Sequence, residues 1–268
     1  MVRSTLERYF SWAKGSPIDF TVMVTGIVLT GVIVISDWLT KSLPPLRSYS
    51  EEVDGLGGFI LSIWSALLKR NSYNDLVELK LCASGFGFTW SEGVAFPNLR
   101  VLQILTDSDY SEKYDIQLWC QVIQHLDAPL LRTLCIDEVD DIGQLMDQLS
   151  RWPALTDFSF DRVSAYVRVN GVPKTVKKHD GILRLLYRNR LGIGNPNRIL
   201  ADFTKYFPNA SCWTVGVMDI PSLGDQTQQF PNIRSLSVMG FSSFDEGRLK
   251  LKAKDFKNSS VVSRISPA

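Results

Sequence analysis

Cysteine and histidine are scarce and scattered. Cys82, Cys120, Cys135 and Cys212 stand far apart with no Cys-x-x-Cys pair, and only His125 and His179 accompany them. Zinc sites draw their ligands from closely spaced Cys and His, so this pattern argues against one. It also gives no disulfide framework to a chain of 268 residues. The thiols are expected to be reduced and buried, as in a cytoplasmic or nuclear protein. An excess of charge of either sign is missing too, with 29 Lys and Arg against 28 Asp and Glu. Composition therefore gives no reason to expect nucleic acid as a partner. Charged residues make up only 21% of the chain and apolar ones 45%, which excludes disorder throughout.

Local enzyme signatures are absent. The chain contains no Gly-x-Ser-x-Gly elbow, phosphate-binding Gly-x-x-x-x-Gly-Lys loop, His-Glu-x-x-His helix or complete Gly-x-Gly-x-x-Gly loop. Gly85-Phe86-Gly87 and Gly192-Ile193-Gly194 are fragments of the last that turns explain. The acidic groups Asp107-Ser108-Asp109 and Glu138, Asp140 and Asp141 each follow an expected strand and read as solvated loops. We therefore assign no catalytic, cofactor-binding or metal-ligating residue. The expectation is that the chain is not an enzyme and needs no cofactor, an uncharacterised enzyme being the third reading of its function.

One long apolar run exists, residues 20–36, seventeen positions without a charge. That length is at the lower limit for a membrane-spanning helix, near 17 residues. Eleven of the seventeen are Val, Ile or Thr, whose branched Cβ favours strands, and Gly26 and Gly31 interrupt them. The preferred reading is two buried strands meeting near Thr25-Gly26. The alternative is a membrane-anchored protein with its segment at 20–36 and Arg3, Arg8 and Lys14 upstream.

What the chain has in quantity is a repeated phrase. Phe96-Pro97-Asn98-Leu99-Arg100-Val101-Leu102-Gln103-Ile104 returns as Phe230-Pro231-Asn232-Ile233-Arg234-Ser235-Leu236-Ser237-Val238. Looser copies begin at Ala128-Pro129, Trp152-Pro153 and Phe207-Pro208, and a weaker one at Asn74-Asp75-Leu76. Leu43-Pro44-Pro45-Leu46 opens a degraded copy in which Glu51 stands where an apolar residue should close it. The skeleton Pro-x-Leu-x-x-Leu-x-Leu recurs at Leu76, Leu99, Leu131, Leu155, Ala210 and Ile233, giving spacings of 23, 32, 24, 55 and 23 residues. Most intervals suit one helix and one strand, and the longest suits two, so a repeat is expected near Ile182-Leu183-Arg184-Leu185-Leu186.

Apolar residues at helical spacing predict helices over 57–70, 116–126, 142–149 and 199–207, each ended by the proline of the next phrase. The fold expected is α/β, an irregular leucine-rich-repeat solenoid with a parallel β-sheet on the concave side and helices on the convex side. Residues 1–42 form an N-terminal apolar strand and cap region, 43–247 the solenoid, and 248–268 a capping strand and loose tail. Residues 163–196 are the least regular part. Their cations, Lys174, Lys177, Lys178, Arg184, Arg188 and Arg190, read as a solvated helix face, with an inserted partner-touching loop as the alternative.

Period-two alternation sorts each strand into two faces. With Leu79 and Leu81, Leu102 and Ile104, Leu134 and Ile136, Phe158 and Phe160, Trp213 and Val215, Leu236 and Val238 inward, the residues between them face out. The partner-binding candidates are thus Glu78, Lys80, Val101, Gln103, Thr133, Asp137, Asp157, Ser159, Asp161, Thr214, Ser235 and Ser237. Asp137, Asp157 and Asp161 form an expected acidic patch suited to a basic or hydrogen-bonding protein partner on the concave sheet face. The position where many leucine-rich repeats keep an Asn ladder holds Ser84, Asp107, Val139, Val163, Met218 and Phe241, so apolar packing is expected to hold the loops.

These repeats, the helices before them and the phrase Leu126-Asp127-Ala128-Pro129-Leu130-Leu131-Arg132-Thr133-Leu134 resemble the leucine-rich-repeat portion of the F-box proteins of mushroom-forming fungi. Gly15-Ser16-Pro17-Ile18-Asp19-Phe20-Thr21-Val22 is similar to the segment that opens this portion, and the resemblance covers about residues 5–245. It implies a substrate-recognition arm of a cullin-type (SCF) ubiquitin ligase. The chain departs from the pattern in one respect. No Leu-Pro-x-Glu phrase with a following apolar helix precedes Leu43, so a Skp-type adaptor is an expected partner only if an F-box lies upstream.

Overall fold

A computed structural model describes residues 2–25, 38, 41–54, 73–83, 94–106, 123–139, 142–163, 178–187, 206–216, 234–239 and 260–261. The chain divides into two compact units, Met1–Ile136 and Asp137–Ala268. In the first, helix α1 (Val2–Ala13) precedes strands β1 (Ile18–Thr25), β2 (Leu46–Asp54), β3 (Glu78–Ala83), β4 (Val101–Thr106) and the first four residues of β5 (Thr133–Val139). Each strand pairs in parallel with the one before it. The second holds helix α2 (Ile142–Leu149), then β6 (Asp157–Val163), β7 (Arg184–Tyr187), β8 (Cys212–Gly216), β9 (Ser235–Met239) and β10 (Ser260–Val261). These strands too pair in parallel and in chain order. A parallel sheet built one strand per repeat is a solenoid arrangement, as the recurring phrase predicts.

β7 is the repeat expected near Ile182. It divides the 55-residue interval between Leu155 and Ala210 into steps of 27 and 28 residues. Arg184 therefore lies on a strand, in place of the helix face or loop expected for the cations of 163–196.

Each repeat contributes four inward positions that line up with those of its neighbours. The first column is Leu43, Tyr73, Phe96 and Ala128 in one unit, and Trp152, His179 and Phe207 in the other; all are buried. Three residues later come Leu46, Leu76, Leu99 and Leu131, then Leu155, Ile182 and Ala210, again buried. The strands continue the stack with Tyr49, Leu79, Leu102 and Leu134, held in register across β2–β5, and with Phe158, Leu185 and Trp213 across β6–β8. Leu81, Ile104 and Ile136 close the first unit's stack, and Phe160 does so on β6. Glu51 on β2 takes the corresponding place and is buried as a carboxyl among apolar columns. Its charge, together with burial, pushes the Tyr49 phenol upward, burial being the larger cause.

The proline of the phrase acts differently from the expected helix stop. α2 ends at Leu149, and Ser150 and Arg151 intervene before Trp152. Pro153 is the second residue of a tight turn closed by the Leu155 N–H on the Trp152 carbonyl at 3.0 Å. Pro97, Pro129 and Pro208 take the same place in turns closed at 3.2, 3.1 and 3.2 Å. A β-turn favours proline there because its ring already holds the required φ. The phrase marks the bend into the strand, and the helix has ended before it.

Neighbouring turns are tied to one another. The Tyr73 N–H donates to the Ala95 carbonyl, Phe96 to Asp127 and His179 to Tyr206, at 3.1, 2.8 and 2.9 Å. Asn98 adds a side-chain rung, its Nδ2 donating to the Asn74 carbonyl at 2.7 Å, and Asn209 does the same to Asp180 at 3.0 Å. These repeats therefore carry a lateral Asn, one turn earlier in the repeat than the position where sequence reasoning sought it.

At the N-terminal end, the first strand differs from the buried pair expected of the apolar run. On β1, Asp19, Thr21 and Met23 are exposed while Ile18, Phe20 and Val22 are half-buried. Alternation with one wet face is the reason. α1 covers the other face through Phe10, whose ring meets Phe20 edge-on and stacks on Trp38. It ends where Lys14 and Gly15 both take positive φ, 48° and 80°, and the Ser16 N–H returns to the Ala13 carbonyl. Among the described residues no helix is long and apolar enough to cross a membrane. β1 takes residues 20–25 of the seventeen-residue run into a strand.

The second of the two strands expected over 20–36, and the helices expected over 57–70, 116–122 and 199–205, lie outside the described residues. β10 falls in the Ser-rich stretch read as a tail and pairs Ser260 with Ser235 and Val261 with Leu236.

Gly181 replaces the Asn of the phrase where β7's repeat turns. A Cβ there would lie 3.0 Å from the Leu155 carbonyl oxygen and 3.1 Å from the His179 ring. Gly181→Ala is expected to cost about 1–3 kcal/mol by overpacking against backbone. Asn98→Ala should cost about 1 kcal/mol, the worth of one hydrogen bond. Urea titration of each variant checks both, and an unchanged midpoint for Gly181→Ala would contradict this packing.

Candidate binding face

Parallel register turns the outward residues into rows. In the first unit one row runs Ser48, Glu78, Val101, Thr133, and the next Ser50, Lys80, Gln103, Cys135. In the second, Asp157, Arg184, Cys212 and Ser235 share a row, and Ser159, Leu186, Thr214 and Ser237 the next. Glu78, Arg184 and Cys212 are exposed, and the others are half-buried except Ser237, whose side chain lies outside the description. Each unit thus joins its own predicted partner-binding residues: Glu78, Lys80, Val101, Gln103 and Thr133 in one, Asp157, Ser159, Thr214, Ser235 and Ser237 in the other. Asp137 and Asp161 belong to β5 and β6, with side chains outside the description.

Six members of these rows are absent from the predicted partner-binding set: Cys135 and Cys212, which the alternation does place outward, and Ser48, Ser50, Arg184 and Leu186. Ser48 and Ser50 were hidden because β2's phrase is degraded, and Arg184 and Leu186 because β7's turn lacks proline. The alternation Ile182-x-x-Leu185 was the available signal.

Electrostatics on this face is set by pairs between adjacent strands. The Arg47 guanidinium on β2 grips Asp19 on β1 with two donors, Nε at 2.9 Å and Nη2, while Ser48 Oγ donates at 2.8 Å. Arg47 first, then the Ser48 hydroxyl, hold the Asp19 carboxyl down to about 2. Arg184 on β7 forms the matching pair with Asp157 on β6, directly opposite in register. Its Nη2 donates to Oδ2 at 2.9 Å, and Thr156 Oγ1 donates to the same oxygen at 2.7 Å. Asp157, expected to contribute to an acidic patch, has its charge answered by Arg184.

One polar side chain is enclosed in the apolar columns. His179 takes the place held by Phe96, Trp152 and Phe207 in other repeats and is 6% exposed. A carbonyl only accepts, so Nε2 carries the proton that it donates to Trp152 O at 3.2 Å. Nδ1 has no hydrogen-bond partner among the described residues. The imidazole thus serves as a flat core side chain facing its own unit's interior, away from the outward rows. Among the described residues no group of three or more His, Cys, Asp or Glu is placed to hold a metal ion.

Within each unit the arrangement offers hydrogen-bond donors, acceptors and small apolar groups in regularly spaced rows. A scan against protein-family models found no match, and searches of curated proteins and of solved structures found none either.

Asp19 is expected to titrate near 2, followed by NMR of its carboxyl carbon, and to return toward 3.8 in Arg47→Ala. Its folded value lies below its unfolded one, so the pair's contribution is intact above pH ~4 and is lost as pH falls toward ~2. Both groups are exposed, so added salt should weaken the effect. An Asp19 midpoint unmoved by loss of Arg47 would contradict the assignment.

Proposed function

We propose that the chain is a protein-interaction module, a leucine-rich-repeat receptor that takes its partner on the outward strand face. The observation carrying this reading is the contrast between faces. Inward positions hold apolar residues in almost every turn, Glu51 and His179 excepted, while the outward neighbours on the same strands change from Glu78 to Val101 to Thr133 and from Lys80 to Gln103 to Cys135. Fold stability requires the first set to be uniform and places little demand on the second. Specificity is written where residues are free to differ.

The repeat type and the biological role belong to the same proposal. Short strands entered through a Pro-bearing turn, with repeats of roughly 20–29 residues, match the leucine-rich pattern. The resemblance to fungal F-box proteins then makes the partner a substrate for ubiquitination. Site-specific photo-crosslinking tests the face. A benzophenone side chain at Gln103 or Thr214 is expected to capture a partner from cell extract, whereas one at Arg151, exposed beside α2, is not. Equal capture from all three positions would remove the outward face from consideration. Co-purification of a Skp-type adaptor with the protein expressed in fungal cells tests the ligase role, and its absence would separate the module from that role.

A further inference from the structure

We propose that α1 lies against an anionic lipid surface, with Tyr9 and Trp12 seated among the headgroups and Arg8 and Lys14 beside them. This contact is separate from the strand face read above as partner-binding and does not depend on it.

Two stripes run along α1. Leu6, Phe10 and Ala13, half-buried at helical spacing, form the packed one, where Phe10 meets Phe20 of β1. Thr5, Arg8, Tyr9 and Trp12 follow the i, i+3, i+4, i+7 spacing of a second stripe, and all four are exposed. Tyr9 is 58% exposed and Trp12 63%, and their rings meet edge to face at 5.3 Å. Among the described residues these are the only aromatic side chains so open to solvent. The fold does not call for them, because a terminal element that caps a stack of repeats is best served by a polar outer face.

Charge on this side of the helix is positive. Arg8 lies within the stripe and Lys14 in the turn that ends the helix; both are exposed, and among the described residues neither is in an ion pair. Glu7, the one acidic residue of α1, stands on the opposite flank by the same spacing. With Arg3 counted, residues 2–17 hold three cations against that one carboxylate. Asp19, the next carboxylate along the chain, is gripped by Arg47.

An indole and a phenol each join an apolar ring to a polar tip, which suits the boundary between acyl chains and water. Cations near an anionic membrane add an attraction that fades within a Debye length. Aromatic rings beside cations on one helix face are the features of a helix that lies in the interface plane. Opposed charges fix the register of a protein interface, and the stripe has no acidic residue to supply them. A laterally uniform anionic surface fits it better than a patterned protein face.

Co-sedimentation of the whole chain with vesicles tests the inference, using phosphatidylcholine alone and phosphatidylcholine mixed with phosphatidylserine. Pelleting is expected with the mixed vesicles and should weaken as salt rises. Affinity should fall about tenfold or more in Tyr9→Ser/Trp12→Ser and in Arg8→Glu/Lys14→Glu. Far-UV circular dichroism reports whether each variant keeps its fold, and should one unfold, the other decides. No pelleting, equal pelleting with phosphatidylcholine alone, or binding unchanged in both double variants would overturn it. Carbonate-resistant pelleting that persists in both would also overturn it, by assigning the contact to the apolar run 20–36.

Discussion

Within each unit, neighbouring repeats are locked together by one carbonyl oxygen. The residue before a strand turns its C=O toward two consecutive N–H groups of the following repeat. Val77 receives Arg100 and Val101, Arg100 receives Arg132 and Thr133, Thr156 receives Leu183 and Arg184, and Leu183 receives Ser211 and Cys212. This joint fixes parallel register before the strand begins. A one-residue slip would exchange inward and outward residues along the whole strand, so the apolar columns and the joint enforce the same alignment. Removing a column residue such as Leu134, fully buried between aligned neighbours, costs on the order of 2–5 kcal/mol.

The tight turn explains why the phrase is spelled as it is. Its first residue is buried and, Ala128 apart, large, its second is proline or a turn former, its third is free to be Asn, and its fourth is an inward apolar residue, most often Leu. Where Asn is present at Asn98 and Asn209, it bonds the preceding turn, adding a rung beside the backbone joint. Repeats that depart from the spelling keep the geometry by other means. Tyr73-Asn74-Asp75-Leu76 makes the turn without proline, and His179-Asp180-Gly181-Ile182 makes it with glycine against the Leu155 carbonyl. Stacking neighbours therefore tolerate spelling errors that an isolated turn would not, because each repeat borrows register from both sides.

In the function proposed above, recognition falls to the residues this scheme leaves unspecified. Outward positions are brought together across strands and contribute little to the columns. Charge there is partly consumed within the sheet, by Arg47 on Asp19 and Arg184 on Asp157.

The sequence alone determined the repeat length, the parallel sheet and the inward set, because the 2.0 period of a strand and the place of proline in a turn are local properties. It also located β7 from a gap in the spacing. Tertiary structure decided what depends on neighbours distant along the chain. Whether Asp157 carries usable charge depends on Arg184, 27 residues away, lying opposite it. Whether β1 is buried depends on which of its faces α1 covers. The proline was legible as punctuation, but its role in a turn rather than at a helix end needed the hydrogen bond from Leu155 to Trp152.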